Sequence, residues 1–326
     1  MLPVGGILIL ATWVIALGQT DSPSEDHLQT EVAIKGKIAF VSNRPGNSPW
    51  IIRGDKILSI GERSGRSQFS PDGNLLFLVT DRGWAQLDLR TGEKKFFSKE
   101  RRQMVTSDFA WSPDGQKICF TATEQKPSEG LNGANIHIEN VDGTGLRCLT
   151  NFPPIYPHGA MNPTWSLDGK SILFTAFDPS KAVGQEGVQF WIIDITGSNL
   201  RKIRGEVNNY SVNEPAWSPD GSKIAFVSYE PNDPGDYELY VCNIDGSGVR
   251  RLTKNNWNER RPTFSPDGKQ ICFVSYRHEP MGMAGLGSEL FIINVDGSKE
   301  KRLTPPQKAR RNLSEWTEDD YPTWGP

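Results

Sequence analysis

Apolar positions in this chain come in short runs rather than in a helical stripe. "KIAFVS" (Lys223–Ser228) is a six-residue apolar and β-branched run of strand length. "ELYVCNIDG" (Glu238–Gly246) is a second run that ends in Asp-Gly, and a short "VRRLT" (Val249–Thr253) follows it. Ahead of all three stands "NEPAWSPDG" (Asn213–Gly221), a short run ending in an aromatic and then a turn. No long pattern of period 3.6 competes with these runs, so they predict strands joined by tight turns. In Ser-Pro-Asp-Gly, Pro presets φ at the first corner, Asp tolerates the second, and Gly accepts φ > 0. Asp142-Gly143, Asp245-Gly246 and Asp296-Gly297 read as hairpin pairs of the type I′ kind, with Thr91-Gly92 and Thr196-Gly197 in the same place.

The pattern repeats. "FSPDGNLLFLVT" starts at Phe69, "WSPDGQKICFTA" at Trp111, "WSLDGKSILFTA" at Trp165 and "FSPDGKQICFVS" at Phe264. One copy is a four-stranded antiparallel meander of roughly 40–60 residues, the signature of a propeller blade. The second strand of the unit occurs six times, starting at Lys37, Leu75, Lys117, Ser171, Lys223 and Gln270. Nothing like "PAWSPDG" precedes Lys37, whereas "DDYPTWGP" (Asp319–Pro326) has no partner after it. The expected fold is therefore all-β: a six-bladed β-propeller of four-stranded antiparallel blades, closed by the C-terminal strand completing the first blade. Closure of that kind removes the free edge. Trp111, Trp165, Trp217 and Trp324 keep a fixed register with the turn, which assigns them to blade-to-blade core.

The N-terminus is a different material. Residues 1–18 carry an apolar run from Val4 to Leu17 with no charge before Asp21, and Ala16-Leu17-Gly18 offers small residues for cleavage before Gln19. This reads as a secretory signal, followed by a polar leader over 19–35 and the propeller over 36–326. No membrane span is expected after signal removal, and the localisation expected is periplasmic or secreted. Export raises the question of disulfides. Cys119 and Cys272 share a core column with Ala39, Leu173 and Ala225, and Cys242 shares one with Ile193 and Ile293. Cys148 stands among Lys202, Arg251 and Arg302. Small buried hydrophobes at three positions and a half-exposed fourth predict no disulfides. The charge balance, 36 Lys+Arg against 39 Asp+Glu for a net −3, supplies no clustered basic surface for nucleic acid.

The pattern P-x-W-S-P-D-G, then K-I-A-F, then D-G-S-x-x-R-x-L-T resembles that of the TolB-like β-propellers, from about Gly36 to Pro326. The resemblance implies a WD40-like repeat protein of the cell envelope, a monomer that binds a protein or peptide partner. TolB itself carries an α/β domain ahead of its propeller, and only the short leader stands in that place here, so the whole TolB role does not transfer. Related propellers precede hydrolase domains or act as pectate-fragment lyases.

Chemistry is sparse in the sequence. There is no G-x-S-x-G, P-loop, C-x-x-C or H-E-x-x-H, and the chain has four His: His27, His137, His158 and His278. His158 and His278 with Asp178 or Asp236 are the residues a metal would use, and separate solvated loop roles suit them better. No cofactor and no metal are expected, and no catalysis. Long segments are expected on the face opposite the turns: Thr123–Ala134, Phe177–Val188, Tyr229–Asp236 and Arg277–Ser288 within blades, and Asn151–Met161, Arg204–Val212, Lys254–Glu259 and Pro305–Glu318 between them. They carry Tyr156, His158, Tyr210, Trp257, His278, Met281, Met283 and Trp316, aromatic and Met anchors for a partner. A second set, three residues before each inner-strand aromatic, is Arg66, Asp108, Asn162, Glu214, Arg261 and Tyr321, expected at the channel mouth. The function expected is that of an exported non-catalytic scaffold binding through the loop face and channel mouth. The alternative is a glycan-binding propeller or a metal-dependent polyuronate lyase.

Overall fold

The computed structural model describes residues 37–42, 48–53, 56–59, 64–70, 72–80, 83–96, 104–126, 130–131, 134–152, 159–177, 187–230, 233–277, 288–304 and 319–325. All the strands pair antiparallel. A four-stranded sheet joins Asp319–Gly325, Lys37–Ser42, Ser48–Arg53 and Lys56–Ser59 in that spatial order. Another runs Ser64–Phe69, Leu75–Thr80, Gly83–Asp88, Lys94–Phe96. Three more start from the inner strands Ala160–Trp165, Asn213–Trp217 and Glu259–Phe264 and end at the two-residue strands Arg201–Lys202, Arg250–Arg251 and Lys301–Arg302. The sheet that opens with Met104–Trp111 departs from the pattern. Its strand Lys117–Lys126 outgrows the blade and pairs at its tip with Gly130–Leu131, which makes five strands. Uniform four-stranded blades were expected, and this corrects the count: among the described residues the four-stranded blades number five, not six.

The repeated turn holds by side-chain chemistry as much as by φ. Gly221 N–H donates to Ser218 O (2.9 Å), and Gly221 itself sits at φ 72, where a side chain is strained. Ser218 Oγ donates to Asp220 Oδ1 (2.6 Å) and accepts from Lys223 N (2.8 Å). Ser112 with Asp114, Ser166 with Asp168 and Ser265 with Asp267 repeat the first of these bonds. The Ser218 hydroxyl and the amide and hydroxyl of Ser222 hold the Asp220 carboxyl down at about 2. The Asp-Gly hairpins differ from the type I′ expectation. Gly246 N–H donates to Asn243 O (2.9 Å), while Asn243 N–H donates to Ser247 O (2.9 Å). Gly246 takes φ 85 and Asp245 keeps φ < 0, so this is a three-residue loop with a glycine bulge; type I′ would need φ > 0 at both central residues.

Blades meet through apolar side chains. Ala110, Cys119, Ile136 and Ile138 pack with Trp165, Ile172, Phe174 and Ile193 of the following blade. Trp165 Nε1–H crosses the same seam to Ala110 O (2.9 Å), and Trp111 meets Phe77 edge-on at 5.5 Å. Trp217 is half-buried and donates to Gly221 O of its own turn (3.1 Å). Cys119, Cys242 and Cys272 are buried and Cys148 is exposed, and all four are free thiols. Burial pushes the Cys242 thiol up to about 12, with Asp245 adding to it.

Candidate functional site

The inner strand of a propeller blade has a free edge, and here that edge is deliberately irregular. In Ala160–Trp165 the register moves from Met161↔Thr175 to Thr164↔Leu173, so Asn162 and Pro163 together oppose Phe174. Glu214 and Pro215 oppose Phe226 in the same way, and Arg261 and Pro262 oppose Phe273. Two residues against one is a β-bulge, which turns a side chain out of the ladder direction. The first residue of each pair is left-handed: Asn162 at φ 52, Glu214 at φ 51, Arg261 at φ 52. None is glycine, and each precedes a proline, which pushes its neighbour towards extended backbone. A residue held in that region costs about 1–3 kcal/mol, so three in a row mark strain that the sheet itself does not demand. Pro at the next position also removes the N–H that an edge strand would offer to an added strand.

The bulges deliver Asn162, Glu214 and Arg261, together with Asp108 of the five-stranded blade, to the wall of one cavity of about 520 Å³. Asp108 is buried and the other three are half-buried. They form a row of contacts from blade to blade: Asn162 Nδ2–H donates to Asp108 Oδ2 (3.2 Å), and Arg261 N–H donates to Glu214 Oε2 (2.6 Å). Thr175 Oγ1–H steadies Asn162 through its Oδ1 (3.3 Å). Below this polar row the wall is proline and aromatic, with Pro163, Pro215, Pro262, Pro322, Trp111, Trp217 and Phe264, and Leu167, Pro219 and Pro266 come from the turns. Leu167 stands where the neighbouring turns have Pro and is 55% exposed, the most exposed large hydrophobic among the described residues. The cavity thus pairs a charged collar with an apolar wall, a combination suited to a chain end or side chain that carries both characters.

Four of the six residues expected at the channel mouth are therefore brought together. Arg66 and Tyr321 lie in the inner strands Ser64–Phe69 and Asp319–Gly325, and their side chains are outside the described residues. Of the loop anchors, Tyr156, His158, His278, Met281, Met283 and Trp316 are outside the described residues. Tyr210 turns inward, packed on Tyr240 (5.2 Å) and Phe226 (6.4 Å), and its carbonyl accepts from Gln189 Nε2 (3.1 Å). Trp257 is half-buried, its N–H bound to Asn255 Oδ1 (2.8 Å). Two expected loops are structured. Tyr229–Asp236 is a hairpin in which Glu230 pairs with Asp233, and Arg204–Val212 holds the 3-10 turn Glu206–Asn209, whose Val207 N–H donates to Gly246 O (3.0 Å) of the next blade.

These sheets and their inner-strand cavity define a β-propeller domain. A family model described as the TolB beta propeller domain matches residues 124–322, and the chain belongs to that family. Among curated relatives, the Tol-Pal system protein TolB of Anaeromyxobacter dehalogenans is 30% identical over 115 residues, 35% of this chain and 23% of that protein. The matched region thus spans about a quarter of that relative's length. Among solved structures, TolB from Acinetobacter baumannii superposes at a TM-score of 0.67 and 21% identity, covering 89% of this chain and 67% of that one. Oligogalacturonate lyase from Vibrio parahaemolyticus superposes at 0.54 and 15%, covering 80% and 72%. At these identities the structures speak for the fold alone.

Proposed function

We propose that this chain is an exported, non-catalytic propeller that binds a protein or peptide partner of the cell envelope at the channel collar and the loops around it. The observation that carries the reading is the run of three strained bulges that aim Asn162, Glu214 and Arg261 into one cavity. Strain of that kind persists where the surrounding structure serves a binding role, and here it recurs blade after blade at one level of the wall. A proline-lined edge favours a partner that enters by its end or side chains over one that adds as a strand. The similarity to a Tol-Pal system protein supports an envelope partner, and the apolar N-terminal run supports export. Among the described residues no helix is long and apolar enough to cross a membrane.

The test starts from a partner captured from envelope extracts with the full chain. Arg261→Glu is expected to weaken that complex by about 2 kcal/mol or more, the scale of a desolvated charge contact. Lys269→Ala, on an exposed turn, leaves it unchanged. Equal affinities for both variants would remove the collar from the site. Cleavage of a polyuronate by the purified chain, dependent on an added divalent metal, would replace the scaffold reading with the lyase one.

A further inference from the structure

Proline closes the channel edge on four blades and leaves two open. Pro163, Pro215 and Pro262 each follow a bulge, and in the closing strand Tyr321 and Pro322 together oppose Phe40 in the same way. The remaining two blades are neighbours, and at this position they carry Ser67, opposite Leu78, and Phe109, opposite Phe120. Phe109 lies in a strand that still bulges, with Ser107 and Asp108 against Thr121, and its ring packs on Phe77 at 5.0 Å. Ser64–Phe69 is the straighter edge. Its irregularity falls earlier, between Ser64 and Arg66, and the pairs from Arg66↔Val79 to Phe69↔Leu76 run without a shift.

The turn fixes which main-chain groups this edge presents. Ser70 N–H donates to Leu75 O (2.9 Å), so Ser70 and Leu75 form a hydrogen-bonded pair. Bonded and non-bonded pairs alternate along an antiparallel ladder, which makes Gln68↔Phe77 bonded and leaves Ser67↔Leu78 and Phe69↔Leu76 non-bonded. The N–H and C=O of Ser67 and Phe69 therefore turn away from the ladder, and both residues line the cavity. Ser166 N–H to Ser171 O (2.9 Å) sets the same phase on a closed blade, where the outward position is Pro163 and has no N–H to offer. A second observation falls on the same side. Among the described residues that line the cavity, the buried polar atoms without a hydrogen-bond partner are Ser67 Oγ, Gln68 Oε1 and Trp111 Nε1, all on the two open blades. Trp165, the counterpart of Trp111 on the next blade, gives its Nε1–H to Ala110 O (2.9 Å). An unmade bond in a buried place is costly, and here such places gather where the edge is open.

We propose that the Ser64–Phe69 edge takes the leading end of the partner as an added strand, paired through the main chain of Ser67 and Phe69. The inference rests on the partner site proposed above and narrows its occupant to an extended peptide segment with amide N–H groups at alternate residues. Such pairing gives affinity through the main chain and leaves sequence preference to the pockets that receive the side chains. Entry by an end follows from the closed arc. Pro163, Pro215, Pro262 and Pro322 deny a strand its pairing elsewhere on the wall, so the segment has one side to settle against. The inner strands touch in a closed order, which puts Asn213–Trp217 three places from Ser64–Phe69. Glu214 of the collar therefore faces the pairing edge across the channel.

The probe is the tightest binder drawn on the full chain from a displayed library of short peptides, then synthesised as a set with one amide nitrogen methylated at a time. Methylation at alternate residues is expected to weaken binding by about tenfold or more, and at the residues between them to change it little, since only every second N–H of an added strand meets its neighbour. Ser67→Pro, which brings the residue of the closed blades to the open edge, is expected to weaken the unmodified peptide by a similar factor. Should that variant melt early, hydrogen exchange of the unsubstituted chain places the peptide without it: the Ser67 and Phe69 amides gain protection of about tenfold or more on binding. Even tolerance of methylation along the peptide, or an alternate pattern with no new protection at Ser67 and Phe69, overturns the added strand. Loss of binding in Arg261→Glu without the alternate pattern would keep the collar and remove the edge. The alternate pattern and the new protection, with Arg261→Glu indifferent, would keep the edge and remove the collar.

Discussion

At the residue scale, two kinds of exception to the repeat have opposite energetic meanings. Lys299 sits at φ 55 in an exposed turn, where the matching positions of two other hairpins are Gly145 and Gly248. Lys299→Gly is therefore expected to raise stability by about 0.5–1 kcal/mol in urea unfolding, since nothing but backbone strain is removed. Arg261→Gly relieves the same strain at φ 52, yet empties one place in the collar. Its expected signature is retained stability with lost partner affinity, the trade that separates a functional outlier from an accidental one. Glu259 adds a pH dependence whose sign is fixed. Its carboxyl moves from 4.5 up to about 7 on folding, so between those values the folded chain binds the extra proton. Stability then falls as pH rises across that window, by up to about 3 kcal/mol, and is level above it. Chemical denaturation at the two ends of the window checks this, and Glu259→Val is expected to abolish the slope.

At the element scale, the turn is the unit that the sequence states most clearly. Ser218→Ala removes a hydroxyl that donates to Asp220 and accepts from Lys223 N, and the expected cost is about 1 kcal/mol, read as a lower urea midpoint with an unchanged slope. Proline, aspartate and glycine made those turns legible because each acts on its own backbone. Strand order was legible for the same reason: the "KIAF" runs and their turns leave one meander. The bulges were not. Asn162, Glu214 and Arg261 share no side-chain chemistry, and the proline after each argues locally for extended backbone. Only the pairing of Phe174, Phe226 and Phe273 against two residues forces the left-handed turn. Tyr210 was misleading because a half-apolar ring in a long segment carries no sign of the Tyr240 face it covers. The extra strand Gly130–Leu131 and the hairpin at Glu230–Asp233 have too little apolar pattern to announce themselves. Glu259 was not legible either: its column reads Ser64, Thr106, Ala160, Val212, Glu259 and Asp319, and such a mixed column does not announce a buried carboxylate.

At the scale of the whole molecule, the first and last described strands share one sheet. Lys37–Ser42 pairs with Ser48–Arg53 on one side and with Asp319–Gly325 on the other, from Lys37↔Gly325 to Ser42↔Asp319 with a register shift between Ala39 and Val41. Ile38, Ala39 and Phe40 are fully buried between them. Ending the chain before Asp319 exposes an edge strand and uncovers these side chains at once. Each lost ladder bond is worth about 1 kcal/mol net, so a destabilisation of several kcal/mol is expected, with an aggregation-prone edge in place of a paired one. Thermal melting of the full and shortened chains measures the first effect. Adding the peptide Asp319–Pro326 in trans separates the two causes, because a free strand can complete an open sheet edge by β-augmentation. Recovery of the melting temperature in proportion to peptide concentration is the expected result, by mass action on the folded state alone. A shortened chain that melts with the full one would mean that the sheet holding Lys37–Ser42 stands without its closing strand.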